Sequence, residues 1–289
     1  MSYKSLLRNG AFIIVACLLT FTACKRNKDN TTTTPALTSA DDNGGYATDA
    51  AKLDQNSNDV ISISDAAGTT GGANLRTTAT TIGGCATITN DTLHTPHVLT
   101  IDFGTTGCVC LDSKTRSGKI IVTYSGHYKD STSTHTITFS NYVVDGIRVT
   151  GNKTVTNMGR NSSGQYWYNV TVNDSLILGT DSVISWVGNR TRTWQAGYGT
   201  DMRSDDVYEI GGTTTLTRAN GHVFVHTISG AHPIVVALNC PWIESGIVTI
   251  SSTSFIGGDR TLDYSYGGGG CDNKAQLTIG THTYIITMR

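Results

Sequence analysis

Proline, charged residues and long apolar runs are all scarce in this chain of 289 residues. It contains only 4 prolines, which excludes a proline-rich stalk, and charged residues make up 15% of it. The formal net charge is −1, so no basic surplus indicates a nucleic-acid partner. After residue 23 no apolar run reaches the roughly 20 residues of a membrane-spanning helix. Glycine and threonine are abundant instead, a composition typical of β-rich secreted proteins.

The first 23 residues have the organisation of a secretory signal peptide. Lys4 and Arg8 form a basic segment, and an apolar run follows at 11–19. Thr22-Ala23-Cys24 then resembles the lipobox of bacterial lipoproteins, in which the chain is cut before the cysteine and the cysteine is acylated. The resemblance implies lipidation at Cys24 and attachment to the outer membrane, on either its periplasmic or its surface face. An ordinary signal peptide with a chance cysteine is the alternative.

Composition divides the rest of the chain into three parts. Residues 24–40 are predicted to form a flexible tether, and residues 85–289 a β-domain. Between them, 41–84 begins with loosely helical apolar spacing and ends in a Thr/Gly-rich stretch, which predicts one short N-terminal helix and a linker. We expect the helix to cover one face or edge of the sheet.

From Cys85 onward apolar and polar residues alternate, the pattern of strands with one buried face. Such runs recur from KIIVTY at 119–124 to TYIITM at 283–288, with separate runs at 206–210 and 213–218. No helical pattern lies between them, so the strands are expected to pair antiparallel. The predicted fold class is all-β, an antiparallel meander that forms a curved sheet or a sandwich.

Two segments near the ends of the β-domain resemble each other. LTIDFGTTGC (99–108) aligns without gaps with LDYSYGGGGC (262–271), and in both the glycines lie between two strands. A phosphate-binding loop would need a following helix and a Lys-Ser/Thr pair, which are missing here. Gly267–Gly270 is therefore predicted to be a turn that needs positive φ angles and close backbone approach.

The same duplication suggests how the cysteines pair. It favours disulfides between Cys85 and Cys108 and between Cys240 and Cys271, with Cys110 left over. The oxidising cell envelope permits such bonds. Pairing of Cys85 with Cys110, or free buried thiols, are the alternatives.

The candidate binding residues lie in SWVGNRTRTWQAGYGTD (185–201) and just after it. In an extended chain one face would carry Trp186, Arg190, Arg192 and Trp194, with Asp201, Asp205 and Asp206 nearby. If that face is exposed, guanidinium groups stacked on indoles can hold a sugar ring or an anionic polymer. In the alternative the arginine stems cover the rings, the aspartates neutralise the charges, and the stripe is structural.

Catalytic and metal-binding motifs are not found in the sequence. There is no G-x-S-x-G, no H-E-x-x-H and no kinase set, so we predict that the protein is not an enzyme and uses no cofactor. His222 and His226 share one strand face. Without an acidic or cysteine ligand nearby in sequence, they are predicted to be solvated histidines, and no metal is expected.

Over residues 99 to the end, the chain resembles a group of uncharacterised Bacteroidota cell-envelope lipoproteins. The shared marks, in order, are LTIDFGTTGC with SGKIIVTYSG, NYVVDGIRVTGNKTVTN, NRTRTW with DDVYEIGG, and CDNKAQLTI. Cys110 and the LDSKTRSG segment depart from the pattern. The resemblance implies an envelope-tethered β-protein but carries no established activity or site residues.

The sequence therefore predicts a non-catalytic binding or structural module, held to the membrane by an N-terminal lipid. Its expected partner is a glycan or an envelope protein, and not nucleic acid. A lipid-handling or scaffold element with an apolar concave face is one alternative. A polysaccharide hydrolase whose carboxylates are assembled only by the fold is the other.

Overall fold

The computed structural model of the protein describes residues 42–69, 85–179 and 182–288. The predicted signal peptide (1–23), the lipidation site Cys24, the tether (24–40) and the linker residues 70–84 lie outside the described residues. In the described part of the chain, no helix combines the length and the apolar character needed to cross a membrane.

One helix and fifteen strands make up the described chain. In order they are α1 (Asp42–Thr69), β1 (Thr87–Asp91), β2 (His97–Asp102), β3 (Cys108–Val109), β4 (Thr115–Tyr124), β5 (Thr134–Val144), β6 (Ile147–Arg160), β7 (Tyr166–Leu178), β8 (Ser182–Ala196), β9 (Val207–Arg218), β10 (Val223–Ile228), β11 (Ile234–Ala237), β12 (Ile247–Ser251), β13 (Arg260–Asp263), β14 (Lys274–Ile279) and β15 (His282–Thr287). A short 3₁₀ turn, Arg203–Asp205, precedes β9.

All strands belong to one antiparallel sheet that follows the order of the chain from β1 to β15, except that β3 pairs with β4 and β11 with β9. Within the described residues β1 and β15 do not pair with each other, so the sheet is open. This confirms the all-β antiparallel meander, as a curved sheet and not a sandwich. The two runs predicted at 206–210 and 213–218 form the single strand β9, because Gly211 and Gly212 continue the register with β8.

The helix lies inside the curve of the sheet. It contacts β2 and β4 near one edge and β12 and β14 near the other, so the sheet bends around it. From Gly45 to Ala67 no side chain of α1 is exposed. The predicted N-terminal helix is confirmed, and with 28 residues α1 is longer than the short helix expected. Lys52, Asn56 and Asp59 belong to a half-buried stripe along α1. Polar residues such as Asp54 and Asn58 occupy its buried sides as well, which is why its apolar residues show only a weak helical period.

The core is built between the inner face of the sheet and the small apolar residues of α1. Ala47, Ala50 and Ala51 are almost completely buried, and their small size lets the helix approach the strands closely. The strands contribute branched and aromatic residues at every second position, such as Val122 and Leu216. Each such side chain stabilises the fold by about 1.5–3 kcal/mol when it is removed from water.

The outer face of the sheet carries a row of threonines in register across the strands. Consecutive cross-strand partners in this row are Thr123, Thr136, Thr154, Thr171, Asn189, Thr213, Thr227, Thr249, Thr261, Thr278 and Thr283. None of them is buried. Thr213 Oγ1 donates to Thr227 Oγ1 at 3.3 Å, one of several such bonds. Cross-strand hydroxyl pairs stabilise a sheet, which gives the abundant threonine a structural use.

The glycine run forms the predicted turn. Gly267, Gly268, Gly269 and Gly270 have φ angles of 80°, 101°, 74° and 142°, a region that residues with a Cβ rarely adopt. The expected close backbone approach is largely wrong. A Cβ at Gly267, Gly268 or Gly270 would meet nothing within 4 Å, and one at Gly269 would lie 3.5 Å from the Glu244 carbonyl oxygen. The run is needed for its dihedral angles.

Both disulfides suggested by the duplicated segments are present. Cys85 pairs with Cys108 and Cys240 with Cys271, each pair with Cα atoms 5.5 Å apart. Cys110 is free and buried, and burial raises the pKa of its thiol. The alternative pairing of Cys85 with Cys110 is therefore wrong.

Candidate functional site

Four aspartates of α1 make ion pairs with basic residues of the surrounding sheet and its loops. The closest contacts are Asp49 Oδ2–Arg218 Nη2 at 2.6 Å, Asp54 Oδ1–Arg190 Nη2 at 2.6 Å, Asp59 Oδ2–Arg116 Nη2 at 2.6 Å and Asp65 Oδ2–Arg203 Nη2 at 2.9 Å. Because these carboxylates are placed along the helix, each fixes α1 to a different part of the sheet. The helix thus fills the interior with small apolar residues and supplies carboxylates that pair with basic residues of the sheet.

The Asp54 carboxylate is the most enclosed member of this set. Tyr264 Oη donates to its Oδ2 at 2.9 Å, and His226 Nε2 lies 2.9 Å from the same oxygen. Arg190 Nη2 donates to His226 Nδ1 at 3.0 Å, which leaves Nε2–H to donate to Asp54. Burial alone would raise the pKa of Asp54, but the charge of Arg190 and the hydrogen bonds from His226 and Arg190 hold it well below its usual value. Asp54 therefore stays ionised inside the protein.

The two histidines that sequence analysis treated as solvated contact this helix. His226 is buried between Arg190 and Asp54, so that prediction is wrong for it. His222 is exposed, and its Nδ1 is a hydrogen-bond partner of Tyr46 Oη. In the part of the chain that the structure describes, no group of three or more His, Cys, Asp or Glu side chains is arranged to hold a metal.

The hypothesis of an exposed Trp/Arg face is wrong. Trp186, Arg190, Arg192 and Trp194 do share one face of β8, but that face points inward, and these side chains are 1%, 3%, 0% and 3% exposed. The physical reason is α1, which occupies the inner side of the sheet and supplies Asp54 as the counter-charge of Arg190. The alternative, in which the arginine side chains cover the tryptophan rings and the stripe is structural, describes these residues better. Arg190 Cζ lies 4.4 Å from the Trp186 ring centroid, in a stacked contact sealed from water.

The two neighbouring arginines of β8 differ in one respect. Arg190 has Asp54 and His226 as partners. Arg192 has none: its three side-chain nitrogens make no hydrogen bond within the described residues, and its Cζ lies 3.7 Å from the Tyr208 ring centroid. Arg192 is therefore held by cation–π contact in an aromatic surrounding.

The three aspartates assigned to the same face are separated by the fold. Asp201 is exposed in the loop before β9. Asp205 is half-buried and accepts the Thr200 hydroxyl at 3.0 Å. Asp206 is buried and its Oδ1 accepts Trp194 Nε1–H at 3.1 Å. They do not form one ligand-orienting group with the tryptophans, which corrects that part of the hypothesis.

Asp206 makes the stability depend on pH. Burial raises its pKa from 3.8 to about 6, against the opposing charge of Arg203. A raised pKa means that the contribution of Asp206 is complete below pH 3.8 and is lost as the pH rises through 6. Between pH 4 and pH 7 the free energy of unfolding should therefore fall by about 2–3 kcal/mol. Asp206→Asn, whose side chain still accepts the hydrogen bond from Trp194, is expected to abolish this fall. Urea unfolding at both pH values measures this. Equal pH dependence in the two proteins would contradict it.

A pocket of about 260 Å³ opens between α1 and two loops of the sheet. The loop after β3 contributes Leu111 and Asp112, and the loop after β11 contributes residues 238–243. The second loop includes Cys240, whose disulfide to Cys271 ties it to the glycine turn. This site was not predicted from the sequence. The only local signal was Trp242, an aromatic residue in a loop directly after Cys240-Pro241.

The helix supplies Asp59 and three uncharged polar residues to this pocket. Gln55 and Asn58 are 6% and 4% exposed, and Ser62 is half-buried. Gln55 Nε2 donates to the Pro241 carbonyl oxygen at 2.6 Å. Gln55 Oε1, Asn58 Nδ2 and Ser62 Oγ have no hydrogen-bond partner within the described residues. All three atoms are shielded from solvent, so the helix side of the pocket contains buried polar groups that the described protein leaves unsatisfied.

The charged residues at the pocket already balance one another. Asp59 Oδ2 lies 3.3 Å from Lys114 Nζ and 2.6 Å from Arg116 Nη2. Arg116 also donates from Nη1 and Nη2 to the two oxygens of Asp112, at 2.8 and 2.6 Å. Burial alone would raise the pKa of Asp59, but the charges of Lys114 and Arg116 keep it below its usual value. Two carboxylates and two cations leave the site neutral.

Comparison of the chain with protein-family models, curated proteins and solved structures finds no match. The resemblance to Bacteroidota envelope lipoproteins, drawn from the motifs of the chain itself, therefore stays a prediction.

Proposed function

We propose that the protein is a non-catalytic binding module of the cell envelope, anchored to the outer membrane through Cys24, with its ligand site in the pocket beside Trp242. The observation that carries the proposal is an open pocket of about 260 Å³ whose wall includes the half-buried side chain of Trp242. The anchor rests on the signal-peptide pattern and the lipobox resemblance of residues 1–24.

The surroundings of the pocket favour binding over catalysis. Its walls are held by α1, whose carboxylates are fixed to the sheet, and by the Cys240–Cys271 disulfide. A glycoside hydrolase needs one carboxyl that stays protonated to act as a general acid. Asp59 remains ionised between Lys114 and Arg116, and Asp112 is engaged by both Nη atoms of Arg116. Neither carboxylate is placed to donate a proton.

The lipid-handling alternative has little support from the inner face of the sheet. That face is occupied by α1, and the residues beneath the helix include Arg190, Arg192 and Lys153. If the helix moved away, buried charges would line the space, and acyl chains would be a poor replacement for aspartate carboxylates. A lipid cavity would instead need an apolar lining.

A ligand screen with Trp242 as reporter tests the proposal. The chain from residue 24, carrying Cys24→Ala, is mixed with sugars, amino acids, nucleosides and small organic acids. We expect at least one class to raise the thermal midpoint and to shift the indole N–H NMR signal of Trp242, assigned with Trp242→Phe. Trp167, half-buried on β7, is the control signal and should not move. If no class shifts Trp242, the proposed site is wrong.

A further inference from the structure

Lys153 on β6 and Asp174 on β7 form a buried pair that the proposed binding site does not use. Lys153 Nζ donates a hydrogen bond to Asp174 Oδ2, and both side chains are 2% exposed. We propose that these two side chains become joined by an amide bond when the sheet folds, so that a covalent cross-link ties β6 to β7. The proposal is independent of the pocket and of its ligand.

The backbone brings the two side chains together on the inner face of the sheet. Gly151 lies directly opposite Asp174 on the neighbouring strand, and Lys153 lies two residues further along β6. Diagonal neighbours of this kind are within reach of a long side chain. A Cβ at position 151 would lie 2.8 Å from Asp174 Cα, so glycine is needed for the close approach of the two strands. Because position 151 has no side chain, the Lys153 chain can extend across it to the carboxyl group.

The surroundings of the pair are aromatic and shielded from water. Lys153 Nζ lies 5.4 Å from the Phe139 ring centroid and 5.9 Å from that of Trp186, the cross-strand neighbour of Asp174. Burial raises the pKa of the Asp174 carboxyl, although the charge of Lys153 opposes this. Transfer of one proton from the ammonium to the carboxylate removes two charges from an interior that disfavours charge.

The condensation needs no further reactant. Lys153 Nζ first gives a proton to Asp174 Oδ2 along their hydrogen bond, which leaves a neutral amine beside a carboxylic acid. The amine lone pair then attacks Asp174 Cγ and forms the N–C bond. The C–O bond to the protonated oxygen breaks, and that hydroxyl leaves with an amine proton as one molecule of water.

The amide leaves fewer buried polar atoms without a partner than the ion pair does. Asp174 Oδ1 and Trp186 Nε1 have no hydrogen-bond partner within the described residues. A buried carboxylate normally accepts several hydrogen bonds, and an unsatisfied charged oxygen is costly. Condensation replaces the two charged oxygens by a single uncharged carbonyl oxygen.

A second lysine–aspartate pair of the sheet is the internal control. Lys119 Nζ lies 2.8 Å from Asp102 Oδ2, but these side chains are 46% and 33% exposed. The hydrogen bond from Lys119 lowers the pKa of Asp102, and water reaches both groups, so this pair is expected to stay ionic.

Mass spectrometry of the chain from residue 24, with Cys24→Ala and with both disulfides reduced, tests the proposal. We expect the main species of the folded protein to have the mass of its sequence less one molecule of water. Trypsin then locates the bond, because it does not cut after a lysine whose side chain is an amide. Peptide 149–160 should stay uncut at Lys153 and should be joined to peptide 161–190, which contains Asp174. Cleavage after Lys119 should be normal.

Two variants complete the test. Lys153→Arg keeps the positive charge but lacks the amine, and Asp174→Ala lacks the carboxyl group, so both should have their full sequence mass. The full sequence mass in the unaltered protein, with normal cleavage after Lys153, overturns the proposal whether or not the variants fold. A water loss that persists in either variant, or that maps to cyclisation at Asp145-Gly146 with peptides 149–153 and 161–190 free, also overturns it.

Discussion

Arg190→Met is expected to lower the free energy of unfolding by about 3–5 kcal/mol. The substitution leaves the Asp54 carboxylate, which is 0% exposed, without its cation. It also removes the hydrogen bond that Arg190 makes to His226. A buried charge deprived of its partner keeps its full desolvation cost, whereas the methionine recovers only part of the packing. Urea unfolding at pH 7 measures the loss, and the thermal midpoint should fall by roughly 10 °C.

Arg192→Met is the matched control, two residues further along the same inward face of β8. Arg192 has no hydrogen-bond partner in the described structure, and only its contact with the Tyr208 ring is lost. Replacement of an unpaired buried cation by an apolar side chain of similar length is expected to change stability by less than about 1 kcal/mol. A loss at Arg192 as large as that at Arg190 would show that ion pairing with α1 is not what distinguishes the two positions.

Deletion of residues 42–69 has the largest expected effect, complete loss of the folded β-domain. The deletion removes the buried alanines, Leu53 and Ile61 from the interior, together with the four ion-paired aspartates of the helix. The sheet would then have to bury its basic residues without counter-ions or open its apolar inner face to water. Near-ultraviolet circular dichroism and dye binding to exposed apolar surface measure the result.

A second variant separates packing from charge in this experiment. Replacement of Asp49, Asp54, Asp59 and Asp65 by Asn keeps the helix and most of its volume but removes the four ion-paired negative charges. We expect the folded β-domain of this variant to be strongly destabilised, and its remaining structure still to depend on the presence of α1. A deletion protein with the near-ultraviolet spectrum of the intact chain would contradict the structural role given to the helix.

Strand pairing was the most predictable part of the fold. Two-residue alternation is a local signal, and it persists in β4 to β9, where one face of each strand is buried and the other carries exposed threonine or asparagine. The glycine turn and both disulfides were also predictable, because the two Gly-Cys segments repeat one local arrangement. In each case the residues that decide the structure lie close together in sequence.

The inside of the sheet was much less predictable. Trp186 and Trp194 alternate with polar residues in the same way whether their face meets water or a helix. Whether this face meets water or the helix depends on Asp54 and the other helix carboxylates, which lie more than a hundred residues earlier in the chain. Alternation identifies a shared face, but it does not say what covers that face.

The pocket could not be predicted from the sequence at all. Its wall comes from α1, the loop after β3 and the loop before β12, three segments that only the curvature of the sheet brings together. Asn58 and Gln55 are ordinary helix residues in sequence. They become part of a candidate site only because the fold places them in the wall of the pocket.

Hydrogen–deuterium exchange of α1 in the intact chain tests most directly whether the helix is the buried filling of the curved sheet. If α1 is held by apolar burial and four ion pairs, its amides between Tyr46 and Ala67 should exchange as slowly as those of β8, through global unfolding only. Exchange of α1 within seconds, while β8 stays protected, would mean that the helix leaves the sheet freely, and would contradict the account.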